Sequence, residues 1–515
     1  MPLSPALLAS SSLALALLAL ALALPQTHAA SPSDPVQVHL GLGRNASERT
    51  VSFVTLQHIE RSAVRFYPAS SPTSVTVTDC TQRDFHDGGV TKRRIVLHEC
   101  VMAPLRDATV YMYQVGDSLA SEGWSQLFNF TTWHEPHPDL TLAVYGDMGV
   151  KNARTLPWLR RDLERSGFDA VLHVGDFAYN FDSDEGVLGD RFMEAIEPLA
   201  AHVPYIVCLG NHEAAYNFSH YTERFAAYAQ QGNSGNNWWY SFDLSYVHFV
   251  ALSSELYYNA DIYDEIEKQN QWLERDLAAV DRTKTPFVVV FLHRPLYCSN
   301  TDDLPDCTTD AQRLRDGFAA PDGTFYPGLE QMFLKHSVNL VMAAHEHSYE
   351  RTWPVRNSTA VTEHQEPNRY ENAQAPTYIV TGAAGCPEDL DYYDELHHGP
   401  WSLVRSASYG YAHFRIVNST HLHFEQFISD GLNGTDAFWY VQTAPPQGPR
   451  LDIATDVSIH QCSAYCAAVC LYSGKQAEQD CATQCRCERE HAAGRLAQVA
   501  MEAGVTVKRG LVHKH

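Results

Sequence analysis

The stretch TLAVYGD, residues 141–147, is an apolar run that stops on Gly-Asp, and TLPWLRRDLERSG at 155–167 follows it with helical spacing. A short buried strand handing the chain to an amphipathic helix is the repeating unit of an α/β sheet. The unit recurs in AVLHVGD (170–176) before RFMEAIEPL (191–199), in YIVCLGN (205–211), and in YVHFVALS (246–253) before QNQWLERDLAAV (269–280). FVVVFLH (287–293) continues the series, and GLEQMFLKHS (328–337) precedes NLVMAAH (339–345). The alternation predicts an α/β domain whose strands are buried on both faces.

Five of these runs end on side chains able to bind a metal: Asp147, Asp176, Asn211 with His212, His293, and His345 with His347. In an open α/β sheet, ligands bind beyond the carboxyl ends of the strands, so groups far apart in sequence converge there. A single aspartate after a strand is commonly a helix cap, and a single histidine is commonly a satisfied core residue. Repetition on successive strands argues for a site instead. The donors are oxygen and imidazole without cysteine, which suits Zn, Mn or Fe. They exceed the needs of one ion, whereas two ions roughly 3.5–4 Å apart, bridged by one carboxylate, would use them all and clamp an in-line displacement at phosphorus.

Outward from this domain, residues 36–133 read as short alternating strands: VQVHLGL, TVSFVTL, AVRFYPA, VTVTD, RRIVLHE and ATVYMYQVG. They predict a β-sandwich. HEPHP (134–138) reads as a linker, and 138–445 as the metal domain, with the strands of 376–442 (PTYIVTGAAG, YGYAHFRIVNS, THLHFEQFIS) completing its sheet layer. In the tail, 446–515, cysteines 462, 466 and 470 and then 481, 485 and 487 have the spacing of a disulfide-stapled helical hairpin. Cys466 with Cys485 and Cys470 with Cys481 are the expected pairs, among several connectivities.

The leader MPLSPALLASSSLALALLALALALPQTHAAS fits a secretory signal over residues 1–30, with a signal anchor as the alternative. No later segment is apolar for long enough to span a bilayer. Six N-x-S/T sequons, at Asn45, Asn129, Asn217, Asn357, Asn418 and Asn433, agree with a glycoprotein that is secreted or lysosomal. Of twelve cysteines, Cys298 with Cys307 and Cys80 with Cys100 are expected to pair by proximity, and Cys208 and Cys386 read as small buried apolar side chains. The formal net charge of −24 excludes a nucleic-acid partner and a broad anionic membrane surface. Twenty-six histidines permit function at acid pH.

GDMG, GDFAY, GNHE, VVFLH and AHEH resemble the signature blocks of the calcineurin-like metallophosphoesterases, in their purple acid phosphatase branch. The resemblance covers roughly residues 36–445 and leaves out the tail. It implies an α/β fold, a two-sheet α/β sandwich preceded by an N-terminal fibronectin-III-like β-sandwich. It also implies that Asp147, Asp176, Tyr179 and His347 hold Fe(III), and that Asp176 (bridging), Asn211, His293 and His345 hold a divalent Zn, Fe or Mn. Tyr179 has a physical argument of its own: a phenol of pKa about 10 ionises readily only against a strongly charged Lewis acid.

His212, beside the ligand Asn211, is expected to bind substrate phosphate or protonate the leaving group, with Asn211 also on the substrate side. Glu213 is a candidate to orient His212. Arg294 and Arg351 are candidates for phosphate oxygens, with outward salt bridges as the alternative. Two departures from the family pattern stand out. Ala344 replaces the usual glycine, and the loop RPLYCSNTDDLPDC lacks the histidines of plant-type members and looks like the animal form. The expected activity is hydrolysis of phosphate monoesters at acid pH by metal-bound hydroxide. A phosphodiesterase or nucleotide pyrophosphatase is the first rival and an inert secreted adhesion protein the second. The sequence leaves oligomeric state open, with a homodimer among the options.

Overall fold

A computed structural model describes residues 31–134, 139–302, 305–394, 398–428 and 434–444. The leader, the linker residues 135–138, the Asn433 sequon and the tail with its expected Cys466–Cys485 and Cys470–Cys481 pairs lie outside the described residues.

Alternating apolar residues give residues 36–131 two four-stranded antiparallel sheets. One runs in the order Val36–Leu42, Arg49–Thr55, Arg94–Met102, Thr81–His86; the other Thr76–Asp79, Ser62–Pro68, Val110–Asp117, Phe128–Thr131. Val38, Leu40, Val51, Phe53, Val64, Phe66, Tyr113 and Phe130 fill the space between them. The expected Cys80–Cys100 bridge is present and ties the Thr76–Asp79 end of one sheet to the Arg94–Met102 strand of the other.

This sandwich leans on the second domain through directed polar contacts. The Val38 amide donates to Glu197 Oε2 at 2.9 Å, and the Tyr113 hydroxyl donates to the Ala201 carbonyl at 2.6 Å. Arg224, 2 % exposed, bonds Gln37 Oε1 and Asp190 Oδ1, both at 2.7 Å. A buried guanidinium with two placed acceptors fixes an orientation, because any slip would leave a charge unpaired in a dry interface.

The second domain stacks two sheets around one apolar core. The seven-stranded sheet runs Tyr205–Cys208, Ala170–Val174, Leu140–Tyr145, Gly410–Asn418, His421–Ile428, Gly434–Val441, Arg369–Glu371. The other runs Tyr240–Leu244, Val247–Ala251, Phe287–Phe291, Leu340–Ala343, Thr377–Thr381, Tyr349–Arg356, Thr359–Ala360, with Ser402–Ser406 beside Tyr349–Arg356. The first three strands of the former are mutually parallel, as are the four from Val247 to Thr381 of the latter, and all are buried. Helices Leu156–Leu163, Val187–Ala200, Asp264–Ala279 and Glu330–Lys335 fall where the amphipathic stretches predict them. The strands expected to complete one sheet layer are divided between both sheets. Thr377–Thr381 and Ser402–Ser406 join one, and the three strands from Gly410 to Val441 join the other.

Between the sheets lies Arg351, 2 % exposed, with Nε and Nη2 on the two oxygens of Asp436 at 2.5 and 2.8 Å. Its Nη1 reaches the Tyr370 hydroxyl. Arg351 is therefore neither a phosphate ligand nor an outward salt bridge: its charge is consumed by a bidentate pair in the core. Among the described residues, no helix is long and apolar enough to cross a membrane.

Candidate metal centre

The parallel strands end at one place, and their turns are tied to each other. Met148–Gly149 pairs in parallel with Phe177–Ala178, which sets the turn bearing Asp147 beside the turn bearing Asp176. Asp147, Asp176, Tyr179 and His345 all have positive φ, between 55° and 70°. Left-handed backbone at non-glycine residues is strained, and its clustering here aims side chains inward where regular strand geometry would not. Close packing fixes the glycines as well. A Cβ at Gly175 would lie 2.5 Å from His293 Nδ1, and one at Gly210 would lie 2.2 Å from Asp176 Oδ1. The methyl of Ala344 is buried and is accommodated because Gly146 faces it, since a Cβ at Gly146 would lie 2.3 Å from the Ala344 Cβ.

In one half of the pocket the Tyr179 hydroxyl lies 3.2 Å from Asp147 Oδ1 and 2.9 Å from His347 Nε2. His347 Nε2 is 3.6 Å from Asp147 Oδ1. In the other half His293 Nε2 lies 3.1 Å from Asp176 Oδ2 and 3.0 Å from Asn211 Oδ1. Asp176, His293 and His345 each present a ligand atom within 4.8 Å of the others. The Asp147 carboxylate also accepts from the His345 amide at 3.0 Å. The candidate ligands predicted from the sequence thus meet in two groups that touch through the Asp147 carboxylate and the His345 amide. The donor set of carboxylate, phenol, amide oxygen and imidazole fits a pair of hard or borderline cations.

Charge is crowded there. Burial, reinforced by Asp147 and Asp176, raises the Tyr179 phenol well above its ordinary value, and burial likewise raises Asp147, with Asp176 adding to it. Burial opposes ionisation of Asp176 too, yet the positive charges of His293 and His212 outweigh it and hold that carboxyl low. Burial pulls His345 down to about 4, with Arg294 adding to the effect. Anionic oxygens and a phenol gathered in a dry pocket call for cations to offset their desolvation.

His212 borders the pocket without entering it. Its amide donates to Asp176 Oδ1 at 2.9 Å, its Nδ1 meets Asn180 Oδ1, and its ring centroid lies 4.2 Å from that of Tyr179, the two planes tilted by 39°. Nε2 lies at the rim, 3.7 Å from Asp176 Oδ2 and 3.6 Å from Glu388 Oε2. Glu213 does not orient His212. Its carboxylate accepts from the amides of Asp176, Phe177 and Gly210 at 3.0, 2.9 and 2.8 Å, and so shapes the turn that carries Asp176. Arg294 points inward, onto Glu255 at 3.1 Å and Asp306 at 3.4 Å, and its own side chain neutralises neighbours rather than solvent-exposed partners.

Some of the surrounding residues escape a sequence reading. Asn180 fixes the His212 ring, and its position after Tyr179 is the signal that could have flagged it. The Asp389 carbonyl accepts from His347 Nδ1 at 3.1 Å, and Asp391 Oδ2 accepts the His347 amide at 2.5 Å; neither follows a recognisable motif. Cys298–Cys307 is bonded as expected, and Cys208 and Cys386 are free and buried. Cys386 is more than apolar filling, since its Sγ lies 3.5 Å from His347 Nδ1.

The chain resembles known proteins over most of its length. The chain matches the calcineurin-like phosphoesterase family over residues 140–349, the purple acid phosphatase N-terminal domain over 35–132, and the iron/zinc purple acid phosphatase-like C-terminal region over 375–437. Mouse acid phosphatase type 7 is 42 % identical over 414 residues, spanning 79 % of this chain and 91 % of the relative. This chain belongs to the purple acid phosphatases. Human acid phosphatase type 7 is 40 % identical with the same coverage. A purple acid phosphatase from yellow lupin seeds shares the fold, with a TM-score of 0.64 at 22 % identity over 80 % of this chain and 75 % of that one.

Proposed function

We propose that the chain is an acid phosphatase acting on phosphate monoesters at a dinuclear centre of Fe(III) and a divalent Zn, Fe or Mn. The observation that carries this reading is the packing of Tyr179 against Asp147 and His347, beside the cluster of Asp176, Asn211, His293 and His345. Asp147, Asp176, Tyr179 and His347 would hold the iron, and Asp176, Asn211, His293 and His345 the divalent ion. When bound, the pair of ions supplies Lewis acidity toward the phosphoryl oxygens and lowers the pKa of water. Tyr179 would contribute a phenolate, the form that a strongly charged ion such as Fe(III) favours. Asn180 holds His212 at Nδ1, leaving Nε2 free to meet the ester oxygen and deliver a proton to the departing alcohol.

A secretory origin fits the leader, and the side chains of Asn45, Asn129, Asn217 and Asn418 are exposed for glycosylation. The domain division proposed is a signal at 1–30, a sandwich at 36–133, a metallophosphoesterase domain at 138–445 and a cysteine-rich tail.

Metal analysis with a visible spectrum, and turnover of a monoester and a diester side by side, test the reading. One iron and one divalent ion per chain, a phenolate-to-iron band and faster monoester turnover are expected. Preference for the diester would favour the phosphodiesterase alternative, and bound iron without turnover of either ester would favour the inert protein.

A further inference from the structure

The second sheet of the sandwich is apolar on its outer face, where an antiparallel sheet ordinarily turns polar side chains to water. Phe66, Tyr111, Tyr113, Phe128 and Phe130 point into the core, so Tyr67, Val110, Met112, Leu127 and Asn129 alternate with them and point out. Val77, on the edge strand, stands beside the outward Arg65. Val75, Val77, Val110 and Leu127, exposed by 49, 54, 44 and 47 %, are four of the nine large apolar side chains left in solvent among the described residues. Single exposed apolar side chains are ordinary, but a gathering on one face marks a surface that something covers.

Register puts a modification signal on that face. Tyr67 pairs with Met112 and Met112 with Asn129, so the three form one row across three strands, ending at the Asn129 sequon. Two strand spacings, about 10 Å, separate Asn129 from Tyr67. The neighbouring row is closed. Arg65 donates to Gln114 Oε1 at 2.7 and 3.0 Å, and its guanidinium lies 4.3 Å from the Trp124 ring centre. Past the sheet edge stands the second domain, with His202 Nδ1 at 2.8 Å from the Asn129 carbonyl and its ring edge-on to Phe128. A sugar chain on Asn129 is thereby steered back over Met112 and Tyr67. A pyranose shows C–H groups on its faces and hydroxyls at its rim, so it can lie on these two side chains and keep its polar groups in water.

We propose that the glycan on Asn129 is a built-in cover for this face: its first sugars lie over Met112 and Tyr67 and keep the sheet from self-association. The inference rests on the reading of the chain as a glycoprotein. A second copy of the chain fits the face less well, since it would pack against a bulky, hydrated group. Full-length protein secreted from a eukaryotic host tests the proposal. Glycopeptide mass spectrometry reads occupancy of Asn129, and peptide mapping after hydrogen peroxide reads methionine sulfoxide, whose formation follows access to the thioether. Asn129→Gln and Thr131→Ala each abolish the sequon, and enzymatic deglycosylation of the folded parent removes the sugar without a substitution. All three should oxidise Met112 severalfold faster than the parent and bind more of an apolar dye. Met332, partly exposed on the other domain, should oxidise alike in all four. Equal Met112 rates with Asn129 occupied in the parent overturn the inference and spare the glycoprotein reading. Sugar at other sequons but none at Asn129 does the same, and no sugar at any sequon overturns both. Equal rates together with a stable dimer would overturn it in favour of a second copy.

Discussion

The Tyr179 hydroxyl hydrogen-bonds to both Asp147 and His347, whereas His293 meets Asp176 and Asn211 directly with no phenol between them. His293 Nδ1 meets the Val174 carbonyl at 3.0 Å and His345 Nε2 meets Arg294. His347 is held from outside in the same way, its Nδ1 on the Asp389 carbonyl at 3.1 Å, so what sets the proposed iron half apart is the phenol between its carboxylate and its imidazole. The proposed divalent half offers carboxylate, amide oxygen and imidazole and no phenol. A donor set of that kind suits Zn, Fe and Mn alike. A phenol in the set favours an ion charged enough to displace its proton.

Asp176 is the point where the two halves stop being separable, so its loss gives the largest effect. Asp176→Ala should release both metals and lower kcat/KM by on the order of 10³-fold or more, read by metal content and monoester turnover. Retention of one full equivalent of both ions would dissolve the distinction between a shared and a private carboxylate. Tyr179→Phe should abolish the visible band and lower iron affinity while leaving zinc binding within about threefold, since outer partners of the divalent half are untouched. A band surviving in Tyr179→Phe would remove the phenolate from the iron half.

His212 sits over the Tyr179 ring and belongs to neither half. His212→Ala should keep both metals and lose kcat by about 10²–10³-fold for alkyl phosphates, within the range of general acid catalysis, and less for p-nitrophenyl phosphate, whose leaving group needs no proton. Equal losses for the two esters would show a role in binding instead.

The smallest effect expected lies outside the pocket and serves as its control. Burial would lower His248, but its hydrogen bonds to Asp243 and Asp276, at 2.7 and 2.9 Å, outweigh burial and raise it to about 9. The folded value lies above the unfolded one of about 6.5, so this stabilisation is complete below that pH and is lost as pH rises through the folded value. Tm should decline across that window, and His248→Gln should flatten the decline without altering metal content. A decline unchanged in His248→Gln would remove His248 as its source.

Much of this was legible because a strand end is a sequence feature. Asp147, Asp176, Asn211, His293 and His345 each follow an apolar run, and the fold rule that brings such ends together needs no further information. What a sequence could not reveal is which face a residue between two sheets presents. Arg351 sits four positions past a candidate ligand, yet the alternation of its strand turns it into the core against Asp436, more than eighty residues away. Glu213 misleads for a similar reason. The turn Asn211–Glu213 rotates it away from its neighbour and onto three amides of adjacent turns. Arg294, against His345, gathers Glu255 and Asp306 from two other segments, and local pattern does not carry such a meeting.

The interleaving of the late strands has a consequence for how the chain is made. Leu140–Tyr145 lies inside its sheet between Ala170–Val174 and Gly410–Asn418, so one of its edges has no partner until some 270 residues later have left the ribosome. Until then an apolar strand at the heart of the domain offers unpaired amides and carbonyls, a template for any passing extended segment. Neither sheet can close early, and assembly of the metal pocket must wait for nearly the whole domain. Chains truncated before residue 410 are expected to emerge as aggregates rather than as a smaller phosphatase.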